Sequence, residues 1–314
     1  MAGATVRGMD AASDLYELQA RPELEGPVLV MAPEGWIDAG LGGAGAVAAM
    51  LAVLETEVVA SFDVDRLLDF RSRRPMSHML DGVYTDLVWP KLELLAAHDL
   101  DGRAMLILVG PEPDHAWGAF SDAVGELATM FGVRLAAGMG AFPAGVPHTR
   151  TSRLAATATN AELAGQLGVV SGTVEVPAGV LAAVERRLAR LEIPTIAIWA
   201  RVPHYASSMP YPGASLQLLE GLTTVTGIRL ETPDLVAASA ATREHLDELT
   251  ANSLQHTALV RQLEAQVDAE GGEDGAAAAD RAAGQTEATE AGWGTLPTGD
   301  ELAAEVERFL QQGE

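Results

Sequence analysis

Hydrophobic and polar positions alternate in two rhythms over the first two thirds of the chain. Short continuous apolar runs, Val28 to Ala32, Val58 to Phe62 and Ala104 to Val109, predict strands buried on both faces. Arg134 to Gly138 and Pro194 to Ala200 predict two more, and the alternating Arg153 to Thr159 a further one. Between them lie helical patterns: Gly40 to Glu55, His115 to about Phe131, and the amphipathic Ala178 to Leu191. Strands separated by helices predict an α/β core with a mostly parallel sheet covered on both faces.

Two stretches break that order. Arg66 to Leu95 carries Asp81-Gly82 between strand-like flanks, the signature of an inserted β-hairpin. Beyond Pro233 the strand pattern ends, and Leu235 to about Ala269 reads as one or two long helices. Leu246, Leu249, Ser253, His256, Val260, Leu263 and Val267 recur there at spacings of three and four, so they share one face. Its middle is polar: either a tolerated polar layer in a helix pair, or a lid presenting Ser253 and His256 to a wet cavity. Gly271 to Gly294 reads as an acidic linker without periodicity, and a last helix is predicted from a capping box at Thr298 and Glu301 to Leu310. The expected organisation is an unstructured N-terminus over 1–13, a core over 14–232 with the hairpin at 66–95, and a helical region over 233–314 with its flexible linker at 271–294.

The 314 residues carry a formal net charge of −24, which argues against nucleic acid as a partner. From Glu264 to Glu314 thirteen acids face only Arg281 and Arg308, as in a solvated tail or a surface for a basic partner. Cysteine is absent, which removes disulfides, thiol nucleophiles and thiolate metal sites. Residues Met1 to Ser13 show no secretory signal and no apolar run reaches a membrane span, so a cytoplasmic location without membrane partners is expected.

Among chemical motifs, Gly40-Leu41-Gly42-Gly43-Ala44-Gly45 satisfies the dinucleotide fingerprint, with Asp63 and Asp65 at a suitable distance. Pro33 to Ala39 separates it from the strand end, too long for that turn, and close helix-to-sheet packing explains the glycines. There is no nucleophile elbow, no phosphate-binding lysine motif and no zinc-protease helix, and the seven histidines show no metal-ligand spacing. No cofactor and no metal are called for.

Polar residues instead collect where strands end. In a parallel sheet, ligands bind outside the carboxyl ends of the strands. The first end offers Glu34, Trp36, Asp38 and Gly40; the Ala104–Val109 strand offers Glu112 and Asp114. The segment after Gly138-Met139-Gly140 offers His148, Thr149 and Arg150, and the last strand offers Arg201, His204 and Tyr205. Asp38 and Asp114 are also natural helix caps. Together they point to a ligand pocket, with Arg71, Arg73 and Arg74 of the hairpin as anion contacts or subunit salt bridges.

The stretch Pro27-Val28-Leu29-Val30-Met31-Ala32-Pro33-Glu34-Gly35-Trp36-Ile37-Asp38-Ala39-Gly40 resembles the proteasome assembly chaperone family as found in actinobacteria. So do Asp69-Phe70-Arg71-Ser72-Arg73-Arg74-Pro75, Gly110-Pro111-Glu112-Pro113-Asp114, Val146-Pro147-His148-Thr149-Arg150, Val202-Pro203-His204-Tyr205 and Leu296-Pro297-Thr298-Gly299-Asp300-Glu301-Leu302. The blocks run in order from about Asp14 to Leu310. The resemblance implies a three-layer α/β/α core similar to that of nucleoside phosphorylases, an oligomerising hairpin, a C-terminal helical lid and a homotrimer. The chain ends Leu310-Gln311-Gln312-Gly313-Glu314, without the hydrophobic-tyrosine-any tail by which some of those chaperones engage proteasome rings, so direct proteasome docking is not expected. An ATP-grasp ligase reading finds only Lys91 where several lysines are needed.

Three functions stay open. One is a trimeric ligand-binding or chaperone-like protein without turnover. The second is an enzyme acting on a small anionic metabolite, with His148 or His204 as acid/base and Arg150 or Arg201 as anion clamp. The third is an interaction module whose acidic tail binds a basic partner.

Overall fold

Within one short strand, Leu29 and Met31 enter one apolar cluster while Val28 and Val30 enter another. Successive strand residues point to opposite faces, so a run buried throughout needs cover on both sides. The computed structural model supplies that cover, and describes residues 12–35, 37–151, 154–167 and 176–271. Its strands are β1 (Tyr16–Leu18), β2 (Val28–Met31), β3 (Glu57–Phe62), β4 (Met76–Leu80), β5 (Val83–Val88), β6 (Glu93–His98), β7 (Ala104–Val109), β8 (Leu135–Ala144), β9 (Ala155–Ala158) and β10 (Thr195–Pro203). Its helices are α1 (Gly42–Val53), α2 (Val64–Leu67), α3 (Trp117–Met130), α4 (Ala161–Ala164), α5 (Val180–Arg190), α6 (Pro212–Thr226), α7 (Pro233–Ala251) and α8 (Leu254–Gly271).

Eight strands form one sheet in the order β1-β3-β6-β7-β2-β8-β10-β9. The centre is parallel: β2 pairs with β7 and β8, and β8 with β10. The flanks are antiparallel, through β1, β6 and β9. On one face Leu29, Leu106, Leu108, Phe120, Leu127 and Val184 pack beneath α3 and α5. On the other Val28, Ile107, Ile198, Met50 and Leu218 pack beneath α1 and α6. This is a mixed α/β fold of three layers.

Several elements differ from the sequence expectation. The projecting hairpin spans only β4 and β5, and Glu93–His98 is a strand of the main sheet between β3 and β7. Leu92, Leu94, Leu95, Ala96 and Ala97 are buried there, a core run hidden beside a strong turn signal. Strand β8 continues past Gly138 to Ala144 because glycine admits close neighbours. A Cβ on Gly138 would meet Leu181 at 2.7 Å, and one on Gly140 would meet the Trp199 ring at 2.5 Å. Helix α6 had no clear signal, since Gly, Ser and Thr weaken its helical preference. Ala12–Leu15 makes a 3-10 turn that begins inside the segment expected to be unstructured. Residues 1–11, most of the acidic linker and the predicted helix from Thr298 lie outside the described residues.

The hairpin leaves the sheet between β3 and β6. Its root is anchored: Phe70 packs on the core, and its ring meets Trp89 edge-on at 4.9 Å. Its strands are exposed at every residue, with Met76 65%, Leu80 67% and Tyr84 74% accessible.

Helix α5 carries one acid, Glu185, that has no side-chain partner among the described residues. Burial pushes the Glu185 carboxyl up from 4.5 to about 7. A folded-state pKa raised on an acid makes the charged form the costly one. Stability from this group is therefore intact below about pH 4.5, declines as pH rises toward 7, and stays reduced above it. Glu185→Gln should stabilise the fold by about 1–2 kcal/mol at pH 8, with a smaller gain at pH 5. Urea titration of both proteins at the two pH values checks this; an equal gain at both refutes the titration.

Candidate functional site

Strands β2, β7, β8 and β10 end on the same edge of the sheet, and loops following them are stitched together. Glu34 N–H donates to Gly110 O at 3.0 Å and Glu112 N–H to Glu34 O at 2.9 Å, which carries the β2–β7 pairing beyond the strands. Three of the four acids expected here hold backbone. Asp38 Oδ1 accepts from Gly43 N–H at 2.7 Å and Oδ2 from Ala44 N–H at 3.0 Å, capping α1. Burial raises the Asp38 carboxyl, and these amide bonds hold it back. Glu112 Oε1 accepts from Val180 N–H at 2.6 Å at the start of α5. Asp114 Oδ2 accepts from Asp69 N–H at 2.8 Å, and its Oδ1 pairs with Arg73. For Asp114 burial pulls upward, but Arg73, the Asp69 amide and His115 outweigh it and lower the carboxyl. Glu34 is exposed and has no hydrogen bond from its side chain among the described residues. Trp36 lies outside them.

Gly40 joins the first loop to the last. Its N–H donates to Ser207 O and its carbonyl accepts from Tyr211 N–H, each at 2.8 Å. A Cβ there would meet Tyr211 Cβ at 2.7 Å, and φ is 62°, so the position requires glycine. Gly42 and Gly45 press against Ala141 and Ser215. The glycine run therefore packs α1 on β8 and α6, in keeping with the packing explanation.

The loop after β8 carries the densest chemistry. His148 is buried, and its backbone N–H donates to Tyr205 Oη at 2.9 Å. Its ring is held on both sides, Nδ1 lying 2.7 Å from the Tyr205 hydroxyl and Nε2 3.1 Å from Asp247 Oδ1. Burial, with Asp247 and Glu264 nearby, pushes the Tyr205 phenol up. Tyr211 is pushed to about 12 by burial and by Tyr205, against the opposing charge of Arg243. Next along the loop, Thr149 Oγ1 donates to Glu264 Oε1 at 2.6 Å, and Arg243 Nη2 to Thr149 O at 3.1 Å. Arg150 forks onto both oxygens of Asp268 at 3.0 and 3.1 Å, and its Nη1 reaches Glu264 at 3.0 Å.

The structure thus brings His148, Thr149, Arg150 and Tyr205 together with α7 and α8. His204 is exposed, with its ring edge-on to Tyr205 at 5.4 Å. Arg201 is half-buried, and its Nε is shut from solvent without a hydrogen bond among the described residues. Ser253 falls at the break between α7 and α8, where its Oγ accepts from His256 N–H at 3.3 Å. His256 is exposed. In the hairpin root Arg73 binds Asp114, while Arg71 and Arg74 are exposed.

Sequence reasoning missed Tyr211, Arg243, Asp247, Glu264 and Asp268. Arg243 with Asp247, and Glu264 with Asp268, stand four apart beside the apolar stripe. That spacing was a usable signal for a charged flank, but nothing local to the helix names a partner a hundred residues earlier. Among the described residues no group of acids and histidines could hold a metal, and no helix is long and apolar enough to cross a membrane.

A family model, the PAC2 family, matches residues 32–250. A Corynebacterium glutamicum protein of unknown function is 33% identical with a TM-score of 0.77, over 82% of this chain and 97% of that one. A Mycobacterium tuberculosis protein of unknown function is 36% identical with a TM-score of 0.77, over 85% and 94%. A proteasome-assembly chaperone homologue from M. tuberculosis is 29% identical with a TM-score of 0.69, over 74% and 99%. No curated protein matches. The family match spans well over half of the chain: this chain belongs to the PAC2 family.

Proposed function

We propose that the protein is a chaperone-like cytoplasmic homo-oligomer, a trimer, that binds a small anionic ligand at the strand ends without turning it over. The hairpin is the observation that carries the oligomer. A two-stranded hairpin is marginal alone in water, and this one holds Met76, Leu80, Val83 and Tyr84 in solvent on an anchored root. A second copy of the chain would bury them. The name of the M. tuberculosis proteasome-assembly chaperone homologue supports the chaperone-like part.

Binding is favoured over catalysis by the state of His148. Both ring nitrogens are engaged, by Tyr205 and Asp247, and the side chain is fully buried, so neither nitrogen is free for a substrate proton. Sedimentation equilibrium should give three times the chain mass, and thermal-shift screening against nucleosides, nucleotides and carboxylates should give stabilisation without product. A monomer at micromolar concentration sinks the oligomer; turnover of any hit sinks the binder.

A further inference from the structure

Helix α8 is held to the core by few apolar side chains. Among the described residues it buries Val260 and Leu263, where α3 buries seven and α7 one. Among the described residues its side-chain hydrogen bonds to the core run to Thr149 and Arg150. Arg150 Nε and Nη2 take the two oxygens of Asp268 side by side, as a guanidinium takes a free carboxylate or phosphate. Arg150 Nη1 and the Thr149 hydroxyl converge on one oxygen of Glu264. Two carboxylates of the protein's own helix thus fill a set of donors suited to an oxyanion.

We propose that Thr149 and Arg150 form an oxyanion-binding subsite that α8 occupies with Glu264 and Asp268, so that a carboxylate or phosphoryl ligand enters by displacing the helix. The inference rests on the reading that an anionic ligand binds at the strand ends. Arg150 and Asp268 are both substantially exposed, and exposed pairs of this kind contribute little and are screened by salt. Displacing α8 therefore exposes only a short apolar strip and exchanges one anion for another. Helix α7 stays in place through Leu246, the Asp247–His148 bond and the Arg243 contact with Thr149. The device is an autoinhibitory lid whose own acids compete with the ligand.

Hydrogen exchange over residues 254–268 of the full chain tests this with inorganic phosphate, malonate and sodium chloride at matched ionic strength. Phosphate or malonate should speed exchange several-fold beyond chloride, and which of the two acts identifies a phosphoryl or a carboxylate ligand. Removing the competitor in Glu264→Gln/Asp268→Asn should tighten binding of the active anion about tenfold by calorimetry. Arg150→Ala should leave α8 exchanging fast with no response to either anion. Equal effects of all three salts would mean screening alone and overturn the proposal, as would unchanged affinity in the double variant. Calorimetric binding of either anion without faster exchange of α8 would overturn the displacement and leave the ligand reading standing, whereas no binding of either anion would overturn both.

Discussion

A chain carrying Val83→Asp and Tyr84→Asp is expected to sediment as a folded monomer. The two positions lie on opposite faces of the hairpin, since Val83 pairs with Leu80 and Tyr84 with Met79, successive residues of β4. Whichever face meets a neighbouring copy receives a charge where an apolar group was to be buried. Burying a Val or Tyr side chain is worth roughly 1.5–3 kcal/mol, and desolvating an unpaired carboxylate costs at least as much. Association should weaken at least about a hundredfold at each interface. The fold itself should not suffer, since both side chains already stand in solvent and the root is fixed by Phe70, Trp89 and the Arg73–Asp114 pair. Sedimentation velocity beside far-ultraviolet circular dichroism makes the check. An unchanged mass with unchanged dichroism would exclude the hairpin as the oligomer contact.

How far the sequence foretold the fold depended on the origin of each signal. β2 and β7 are apolar throughout, and two-sided burial is the only arrangement that satisfies such runs, so they were legible. β6 was not, because Glu93 to His98 lies just past a hairpin turn whose chemistry is local and strong. Its place between β3 and β7 is decided by pairing over distances that no window sees. Likewise Gly138-Met139-Gly140 reads as a strand end by composition. The extension to Ala144 depends on Leu181 and Trp199 arriving over those glycines.

The site shows the same division. That Glu34, Asp38, Glu112, Asp114, His148 and Tyr205 gather at one edge follows from strand direction alone. What each one does there does not. Asp38, Glu112 and Asp114 are consumed by backbone amides, a role open to any acid near a helix start or a turn. The polar middle of the long stripe falls at the break between α7 and α8, where Ser253 receives the His256 amide. Its acids at 247, 264 and 268 carry the contacts to the His148 loop. Their spacing marks a charged flank, but their partners were invisible because an ion pair has no sequence register.

Gly110→Ala should cost the fold about 4 kcal/mol or more, by two separate physical effects. Gly110 has φ 121°, a backbone conformation for which an L side chain has no comfortable well. An added Cβ would also lie 2.2 Å from the Lys91 carbonyl oxygen and 2.9 Å from Leu92 Cα. Both obstacles are backbone, so no rotamer change relieves them. Relief requires β6 to part from β7 where the chain returns from the hairpin. That movement would drag Glu112 from the start of α5 and Asp114 from Asp69 and Arg73. The expected drop in Tm is roughly 10 °C for a domain of this size. Differential scanning calorimetry reads it directly, with Gly102→Ala as control: Gly102 also has positive φ (78°), yet nothing lies within 4 Å of an added Cβ. The control should lose only the conformational part, about 1–2 kcal/mol. If the two substitutions cost the same, the close approach of Lys91 and Leu92 is not what fixes this end of the sheet, and Gly110 matters for its backbone angle alone.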